Sequence, residues 1–184
     1  MIAEPTPLPG LLVLRPQVFR DARGWFLESF NARRFTEITG HDTRFVQDNE
    51  SLSAAGVVRG LHYQVQPHEQ GKLVRVINGA VLDVCLDIRP GSPTFGKHFA
   101  LRLDGDGKTM LWIPPGFAHG FRTLADGTVF SYKCTAFYEK SAERTILWND
   151  PALGIDWGIS DPVLSEKDRN GTPFKEFVRL VNAD

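Results

Sequence analysis

The sequence has few of the features that would commit a protein to an oxidising compartment, a membrane or a polyanion. Its 184 residues include two cysteines, Cys85 and Cys134, and they form no closely spaced redox or zinc motif. No apolar run approaches the roughly 18 residues of a membrane span, and residues 1–10 lack the basic and apolar regions of a signal peptide. The 21 basic and 22 acidic residues leave a net charge of -1. We therefore expect a cytoplasmic protein with reduced core thiols and with no nucleic-acid or membrane partner.

The abundant residues indicate one globular all-β domain. With 42% hydrophobic residues, the chain can bury a sizeable core, and we predict a single domain over residues 1–184. Seventeen glycines and twelve prolines separate short runs rich in β-branched and aromatic residues, a pattern typical of an antiparallel sandwich or barrel. The predicted strands are 24–30, 45–53, 57–64, 73–77, 80–88, 99–103, 110–113, 128–137 and 145–148.

Local signals predict several connections. Asn78-Gly79 favours a type I′ hairpin turn between the strands 73–77 and 80–88. A short helix is predicted over 31–38, with Asn31 as N-cap and Gly40 as stop. Residues 149–170 should form an irregular crossing before a short amphipathic piece around Phe174 and Phe177.

The segment 57–64 concentrates polar chemistry in a short strand. Strict alternation would place Arg59, Leu61 and Tyr63 on one face and His62 with Gln64 on the other. His62 would then lie among small or apolar neighbours. Such a setting suits an imidazole that transfers protons away from bulk water.

Two kinds of site fit the histidines. A metal-dependent cupin site could use His62, His68, Glu69 and His119, and the turn 114–119 has the P-x-G-x-x-H pattern of cupin jelly rolls. However, a cupin metal site usually draws on a His-x-His pair, and Gln64 stands where the second histidine would be. The jelly-roll architecture is therefore supported, and the metal site is not.

A metal-free acid/base site accounts better for the same region. Moving a proton on a carbon beside a carbonyl needs a base, a donor on the opposite face and a cation for the enolate oxygen. His62, Tyr132 and Lys72 supply these three chemistries. Each of them alone is more often a structural or solvated residue, so their joint presence carries the prediction.

Four segments together resemble the dTDP-4-dehydrorhamnose 3,5-epimerase family: 58–64, 70–76, 111–121 and 164–168. The resemblance extends from about residue 19 to residue 168. It implies an all-β, cupin-type double-stranded jelly-roll barrel with a few short helices, usually homodimeric and without metal or cofactor. It also implies an isomerase that converts dTDP-4-dehydro-6-deoxy-D-glucose into dTDP-4-dehydro-L-rhamnose in dTDP-L-rhamnose biosynthesis.

The resemblance also implies roles for individual residues. His62 corresponds to the general base, Asp168 to the carboxylate that orients it, Tyr132 to the proton donor and Lys72 to the cation at the enolate oxygen. Glu166 remains the alternative to Asp168, because the motif 164–168 is short. The residues implied to bind substrate are Arg23, Glu28, Gln47, Asn49, Arg59, Lys72, His119, Tyr138, Glu143 and Lys167.

Within this binding set, the resemblance implies that Arg59 and His119 contact the diphosphate and that Tyr138 stacks on thymine. Arg23 and Glu28 would reach the site of the neighbouring subunit. Three alternatives stay open: an epimerase of another deoxysugar that acts at C3 or C5 alone, a uridine nucleotide in place of thymidine, and a sugar-nucleotide binder without catalysis.

Overall fold

The computed structural model describes residues 1–181, which form thirteen strands and three short helices. The strands are β1 Ile2–Pro5, β2 Leu12–Arg15, β3 Val18–Asp21, β4 Gly24–Leu27, β5 Gln47–Ser53, β6 Val58–Gln64, β7 Lys72–Asn78, β8 Ala80–Asp87, β9 His98–Asp104, β10 Met110–Ile113, β11 Phe117–Thr123, β12 Thr128–Cys134 and β13 Glu143–Thr145. The helices are α1 Ala32–Thr39, α2 Glu166–Arg169 and α3 Phe174–Val181.

Two antiparallel sheets face each other and form the jelly roll that the sequence predicted. One sheet has six strands in the order β1-β2-β10-β7-β12-β5, and the other has five in the order β13-β6-β11-β8-β9. Strands β3 and β4 form a separate hairpin. The main core lies between the sheets, where Val74 and Phe130 of the first pack with Cys85 and Phe121 of the second. Burial of each large apolar side chain there stabilises the fold by roughly 1.5–3 kcal/mol.

Two further apolar clusters cover the outer faces of the sheets. The C-terminal segment packs Trp157 and Phe177 against Leu61 and Val84 of the five-stranded sheet. Helix α1 packs Phe35 against the six-stranded sheet, where the ring meets Trp112 edge-on at 5.1 Å between centroids. Both sheets are therefore buried on each face over much of their area.

The predicted helix is present within one residue of its expected bounds. Asn31 Oδ1 accepts a hydrogen bond from the backbone N–H of Arg34 at 3.1 Å, as an N-cap does. Gly40 ends the helix in the left-handed conformation, with φ of 73°. Phe35 and Ile38 both face the cluster beneath α1, as their spacing predicted.

The predicted hairpin at Asn78-Gly79 is wrong. Strand β7 pairs with β10 and β12, whereas β8 pairs with β9 and β11, so the turn carries the chain from one sheet to the other. Gly79 has φ of 79°, and a Cβ there would lie 2.4 Å from Thr128 Oγ1. The dipeptide thus indicated a tight turn correctly, but its local signal cannot choose the pairing partners.

Strand boundaries differ at several places. β1, β2, β3 and β11 were not predicted, and β11 begins at Phe117, inside the predicted turn 114–119. The predicted strands 24–30 and 128–137 end earlier, at Leu27 and Cys134. The strand predicted at 145–148 lies instead at Glu143–Thr145. The crossing 149–170 is irregular, as predicted, except for the single turn of α2.

The two cysteines are free and buried, as expected. Among the described residues, no helix combines the length and the apolar character that crossing a bilayer requires.

Candidate active site

A cavity of about 370 Å³ opens between the two sheets and brings most of the predicted site residues together. Its walls come from β5, β6, β7, β11, β12, β13 and α2, with Gln70 and Tyr138 added from loops between these elements. The predicted site residues that line it are Gln47, Asn49, Arg59, His62, Lys72, His119, Tyr132, Tyr138, Glu143 and Lys167.

An irregularity in β6 places Arg59 and His62 on the same wall. His62 pairs with His119 and Arg59 pairs with Phe121, so three residue steps on β6 face two on β11. The strict alternation predicted for this strand is therefore wrong, because one extra residue inverts the faces beyond it. The backbones also approach closely here, since a Cβ on Gly60 would lie 2.4 Å from Gly120 Cα.

His62 forms a dyad with Asp168. The two residues are joined by a 2.5 Å hydrogen bond between His62 Nε2 and Asp168 Oδ1. The Asp168 carboxylate also accepts hydrogen bonds from Ser165 Oγ at 2.7 Å and from the backbone N–H of Gly60 at 3.3 Å. Asp168 is buried and Glu166 is exposed on the same short helix, so the alternative that Glu166 partners His62 is excluded.

The environment keeps the dyad in a charge state suited to proton abstraction. Burial lowers the pKa of His62 below its usual 6.5, and it outweighs the opposing effect of Asp168. Burial acts to raise the pKa of Asp168, but the hydrogen bonds from His62 and Ser165 hold it below its usual range. Because an ionised carboxylate can only accept, Nε2 of neutral His62 carries the proton and Nδ1 keeps its lone pair.

Lys72 and Tyr132 enter the cavity from the six-stranded sheet, across from His62. Tyr132 lies on β12 between Asn49 of β5 and Val74 of β7 in the strand register. Burial raises the pKa of the Tyr132 hydroxyl, so it stays protonated. Burial lowers the pKa of Lys72, while the nearby thiols of Cys134 and Cys85 and the carboxylate of Asp83 act in the opposite direction.

Asp83 is a site residue that the sequence analysis missed. His119 Nε2 lies 2.9 Å from Asp83 Oδ2, and the Asp83 side chain is fully buried. A second histidine–carboxylate pair therefore stands beside the first, because His119 and His62 are cross-strand partners. Alternation along β8 puts Asp83 on the same inward face as Cys85, which signals a buried carboxylate, but the sequence does not show that its partner is His119.

Polar side chains link up at the mouth of the cavity. Glu143 Oε1 accepts from Lys167 Nζ at 2.7 Å, and Glu143 Oε2 accepts from the Tyr138 hydroxyl at 3.1 Å. Burial acts to raise the pKa of Glu143, but Lys167, Tyr138 and His62 together outweigh it and hold the pKa below the usual value. Gln47 donates from Nε2 to Asn49 Oδ1 at 3.0 Å.

Arg23 and Glu28 lie away from the cavity of their own chain. The Arg23 side chain is 90% exposed and pairs with Asp21, and Glu28 accepts a hydrogen bond from Asn31 Nδ2 at 3.1 Å. Arg23 lies in the turn of the β3–β4 hairpin, and Glu28 follows β4 directly. The hairpin is outside the two main sheets.

The residues proposed for a metal-dependent cupin site do not converge. His62 and His119 line the cavity, whereas His68 and Glu69 are absent from its walls. Within residues 1–181, the side chains close enough to share a metal ion are instead Asp83, Cys85 and His119. Gln64, at the position of the second cupin histidine, is bound on both sides of its amide to backbone groups.

Comparison with known protein families gives a direct match. The family described as dTDP-4-dehydrorhamnose 3,5-epimerase matches residues 5–176. The chain belongs to this family. The resemblance drawn from the motifs is thereby confirmed.

Individual epimerases are similar along nearly their whole length. The dTDP-4-dehydrorhamnose 3,5-epimerase of Shigella flexneri is 52% identical over 169 residues, which cover 92% of this chain and 93% of the relative. A crystal structure of dTDP-6-deoxy-D-glucose-3,5-epimerase from Legionella pneumophila, in complex with dTDP-4-keto-L-rhamnose, is 47% identical. It matches with a TM-score of 0.91 over 94% of this chain and 92% of that one.

A relative with a narrower activity shares the same fold. ChmJ, a 3′-monoepimerase from Streptomyces bikiniensis whose structure holds dTDP-quinovose, is 33% identical. It matches with a TM-score of 0.91 over 96% of this chain and 90% of that one. The fold of this family therefore accommodates more than one epimerisation pattern.

Proposed function

We propose that the protein is an isomerase that converts dTDP-4-dehydro-6-deoxy-D-glucose into dTDP-4-dehydro-L-rhamnose in dTDP-L-rhamnose biosynthesis. The observation that carries the proposal is the placement of a base and a donor on facing sheets. His62 enters the cavity from the five-stranded sheet and Tyr132 from the six-stranded sheet. A sugar ring held between the sheets would meet the base on one face and the donor on the other. Inversion of a carbon centre needs that arrangement.

The chemistry follows from the ketone at C4. The ketone acidifies the hydrogens on C3 and C5, so Nδ1 of His62 takes a proton and the electron pair moves to the ketone oxygen. Lys72 stabilises the resulting enolate, and Asp168 stabilises the imidazolium. The Tyr132 hydroxyl then protonates carbon from the opposite face. Transfer of a proton through solvent from the His62 imidazolium to the Tyr132 phenolate restores both groups. A second cycle at the other carbon then completes a redox-neutral isomerisation, for which we propose no cofactor and no metal.

The remaining cavity residues would hold the nucleotide. Arg59 and His119 suit the diphosphate, because a guanidinium and an imidazole N–H both donate to phosphate oxygens. The half-exposed ring of Tyr138 suits a planar pyrimidine, with Glu143 and Lys167 beside it. Gln47 and Asn49 complete the binding set.

We further propose a cytoplasmic homodimer in which Arg23 and Glu28 serve the cavity of a second copy. The proposal is supported by exposed apolar side chains on the β3–β4 hairpin, where Phe19 is 54%, Trp25 53% and Phe26 68% exposed. Such a patch, on a hairpin outside the two sheets, suits burial against another chain.

Proton NMR in D₂O tests the reaction directly. The 4-keto sugar nucleotide is incubated with the protein while a reductase traps the product, and solvent deuterium is followed into C3 and C5. Deuterium at both carbons with a trapped L-rhamnose nucleotide is the expected result. Deuterium at one carbon would assign a mono-epimerase, the activity that the Streptomyces bikiniensis relative has. Deuterium at neither carbon would reduce the protein to a sugar-nucleotide binder.

A further inference from the structure

The segment 136–139, which joins β12 to the mouth of the cavity, is held by the side chains of three glutamines. The segment contains no helix or strand of its own. Each of its four residues nevertheless exchanges one backbone hydrogen bond with Gln47, Gln64 or Gln70, and we call these three residues the glutamine clamp. The bonds run from Gln70 Nε2 to Ala136 O at 2.9 Å, from Gln64 Nε2 to Phe137 O at 3.2 Å, from the N–H of Tyr138 to Gln47 Oε1 at 2.8 Å and from the N–H of Glu139 to Gln64 Oε1 at 2.7 Å.

Gln64 is the central member of the glutamine clamp. Its side chain is buried, and its amide nitrogen also donates to the carbonyl of His68 at 2.6 Å. Both N–H groups of the amide are thus engaged, and the oxygen accepts from Glu139. Gln64 stands two residues after His62, at the position where the cupin His-x-His pair has its second histidine. In this chain the residue at that position, Gln64, supports the segment 136–139.

The loop supported in this way carries Tyr138. The Tyr138 backbone is fixed by Gln47, its ring is 51% exposed, and its hydroxyl donates to Glu143 at 3.1 Å. A solvent-facing ring on a loop without regular structure would ordinarily sample many orientations. Because stacking depends on the placement of the ring, a clamped backbone lowers the entropy lost when a planar ligand binds.

We propose that Gln64 and Gln70 are positioning residues that set Tyr138 for the nucleobase and thereby determine affinity for the nucleoside end of the substrate. The inference rests on the proposed function, because it takes a nucleotide sugar as the ligand. Both side chains line the cavity, but we assign neither a contact with the reacting carbons, since the amide of Gln64 and Nε2 of Gln70 bond to backbone groups of other segments.

The test compares Gln64→Met and Gln70→Met with wild type and with the control Gln17→Met, whose glutamine is exposed between β2 and β3. Methionine keeps the length of the side chain and removes the amide. Calorimetry measures binding of two probes, dTDP and inorganic diphosphate. For Gln64→Met we expect dTDP affinity to fall about tenfold, equivalent to about 1.4 kcal/mol, with diphosphate affinity unchanged. Gln70→Met removes a single bond from the segment and should give a smaller shift of the same kind.

Steady-state kinetics supply a second readout. In both variants KM should rise while kcat stays within about twofold of wild type, because uniform binding is lost and the transition state is not selectively affected. Equal loss of affinity for dTDP and diphosphate, or unchanged affinity for both, would overturn the proposal. So would a fall in kcat at constant KM.

A control for general destabilisation and a fallback variant show why a lost affinity was lost. Trp157→Phe removes a buried hydrogen bond of 2.7 Å to Trp148 O in the cluster on the outer sheet face, so it reports what general destabilisation does to the two probes. If Gln64→Met does not fold, Gln70→Met, which removes one bond of the glutamine clamp, keeps the comparison of the two probes testable. Failure of wild type to exchange C3 and C5 protons would remove the proposed function but leave the dTDP and diphosphate comparison intact.

Discussion

His62 Nε2 and Asp168 Oδ1 meet at 2.5 Å although 106 residues separate them along the chain. The histidine belongs to β6 in a sheet, whereas the aspartate is held on the short helix α2 with Ser165 as its N-cap. The proposed base is therefore oriented only when the C-terminal segment has packed onto the five-stranded sheet. A backbone bridge also joins Val57, which precedes β6, to Val163, which precedes α2. This bridge holds the strand that carries His62 next to the helix that carries Asp168.

Removing the imidazole should abolish most of the proposed activity and leave the fold intact. His62→Ala is expected to lower kcat by roughly 10²-fold to 10⁴-fold, the usual contribution of a general base. Deuterium exchange at C3 and C5 measures the loss, and circular dichroism checks the fold. His98→Ala, on β9 and outside the cavity, is the matched histidine control. Turnover near the wild-type rate in His62→Ala would contradict the role of His62 as the general base.

The pH dependence of kcat/KM should report the His62 dyad. Burial lowers the pKa of His62 below 6.5 despite Asp168, and the positive charges of Lys167 and Lys72 act in the same direction as burial. The base is then unprotonated at neutral pH, so kcat/KM should be flat near pH 7 and fall only at a pH below 6.5. Asp168→Asn removes a group that raises this pKa, so the acid limb should move to lower pH. The plateau value of kcat/KM should also fall, because Asp168 no longer holds the proton of His62 on Nε2.

The profile is measured from about pH 5 to about pH 9 with saturation curves at each point. An acid limb centred above pH 6.5 in wild type would contradict the lowered pKa of His62. A limb that moves upward in Asp168→Asn would contradict the electrostatic role assigned to Asp168.

Tyr132→Phe should separate proton exchange from inversion. The phenol is the proposed donor on the face opposite His62, and its raised pKa keeps it protonated. Without it, His62 can still remove and return a proton on its own face, so deuterium should enter the sugar while the configuration is retained. NMR of the recovered nucleotide measures both. Tyr63→Phe, whose ring packs edge-on against Phe177 at 5.7 Å, is the tyrosine control. Full inversion in Tyr132→Phe would contradict the assignment.

The parts of the fold that local chemistry determines were predictable from sequence. The capped helix, the abundance of short strands and the two buried thiols each follow from residues close together in the chain. The motifs also located His62, Lys72 and Tyr132, which the two facing sheets bring to one cavity. Family likeness supplied Asp168, since no local pattern connects a turn at 165–168 with a strand at 58–64.

Features that depend on long-range pairing could not be predicted. The turn at Gly79 passes between sheets, and the extra residue in β6 that turns Arg59 toward the cavity arises from its pairing with β11. Asp83 and Gln64 were missed as parts of the site for the same reason. Their partners, His119 and the segment 136–139, are distant in sequence.

Asp87 provides a stability prediction away from the proposed chemistry. Its carboxylate organises the loop between β8 and β9 by accepting hydrogen bonds from Arg89 Nη2, Ser92 Oγ and Thr94 Oγ1, each at 2.6 Å. Burial acts to raise the pKa of Asp87, but these hydrogen bonds outweigh it and lower the pKa to about 2 from 3.8. Because the folded-state pKa is depressed, the ionised form stabilises the fold above about pH 4, and this stabilisation is lost as the pH falls through about 2.

Asp87→Asn should therefore lower the free energy of unfolding by about 2 kcal/mol at neutral pH, which corresponds to the size of the pKa shift. Urea unfolding at a series of pH values measures the effect, and the curves of wild type and variant should converge between about pH 4 and about pH 2. Asp106→Asn, in the exposed turn after β9, should change stability by less than about 0.5 kcal/mol. A constant difference between wild type and Asp87→Asn across this range would contradict the assignment of the stabilisation to the ionised carboxylate.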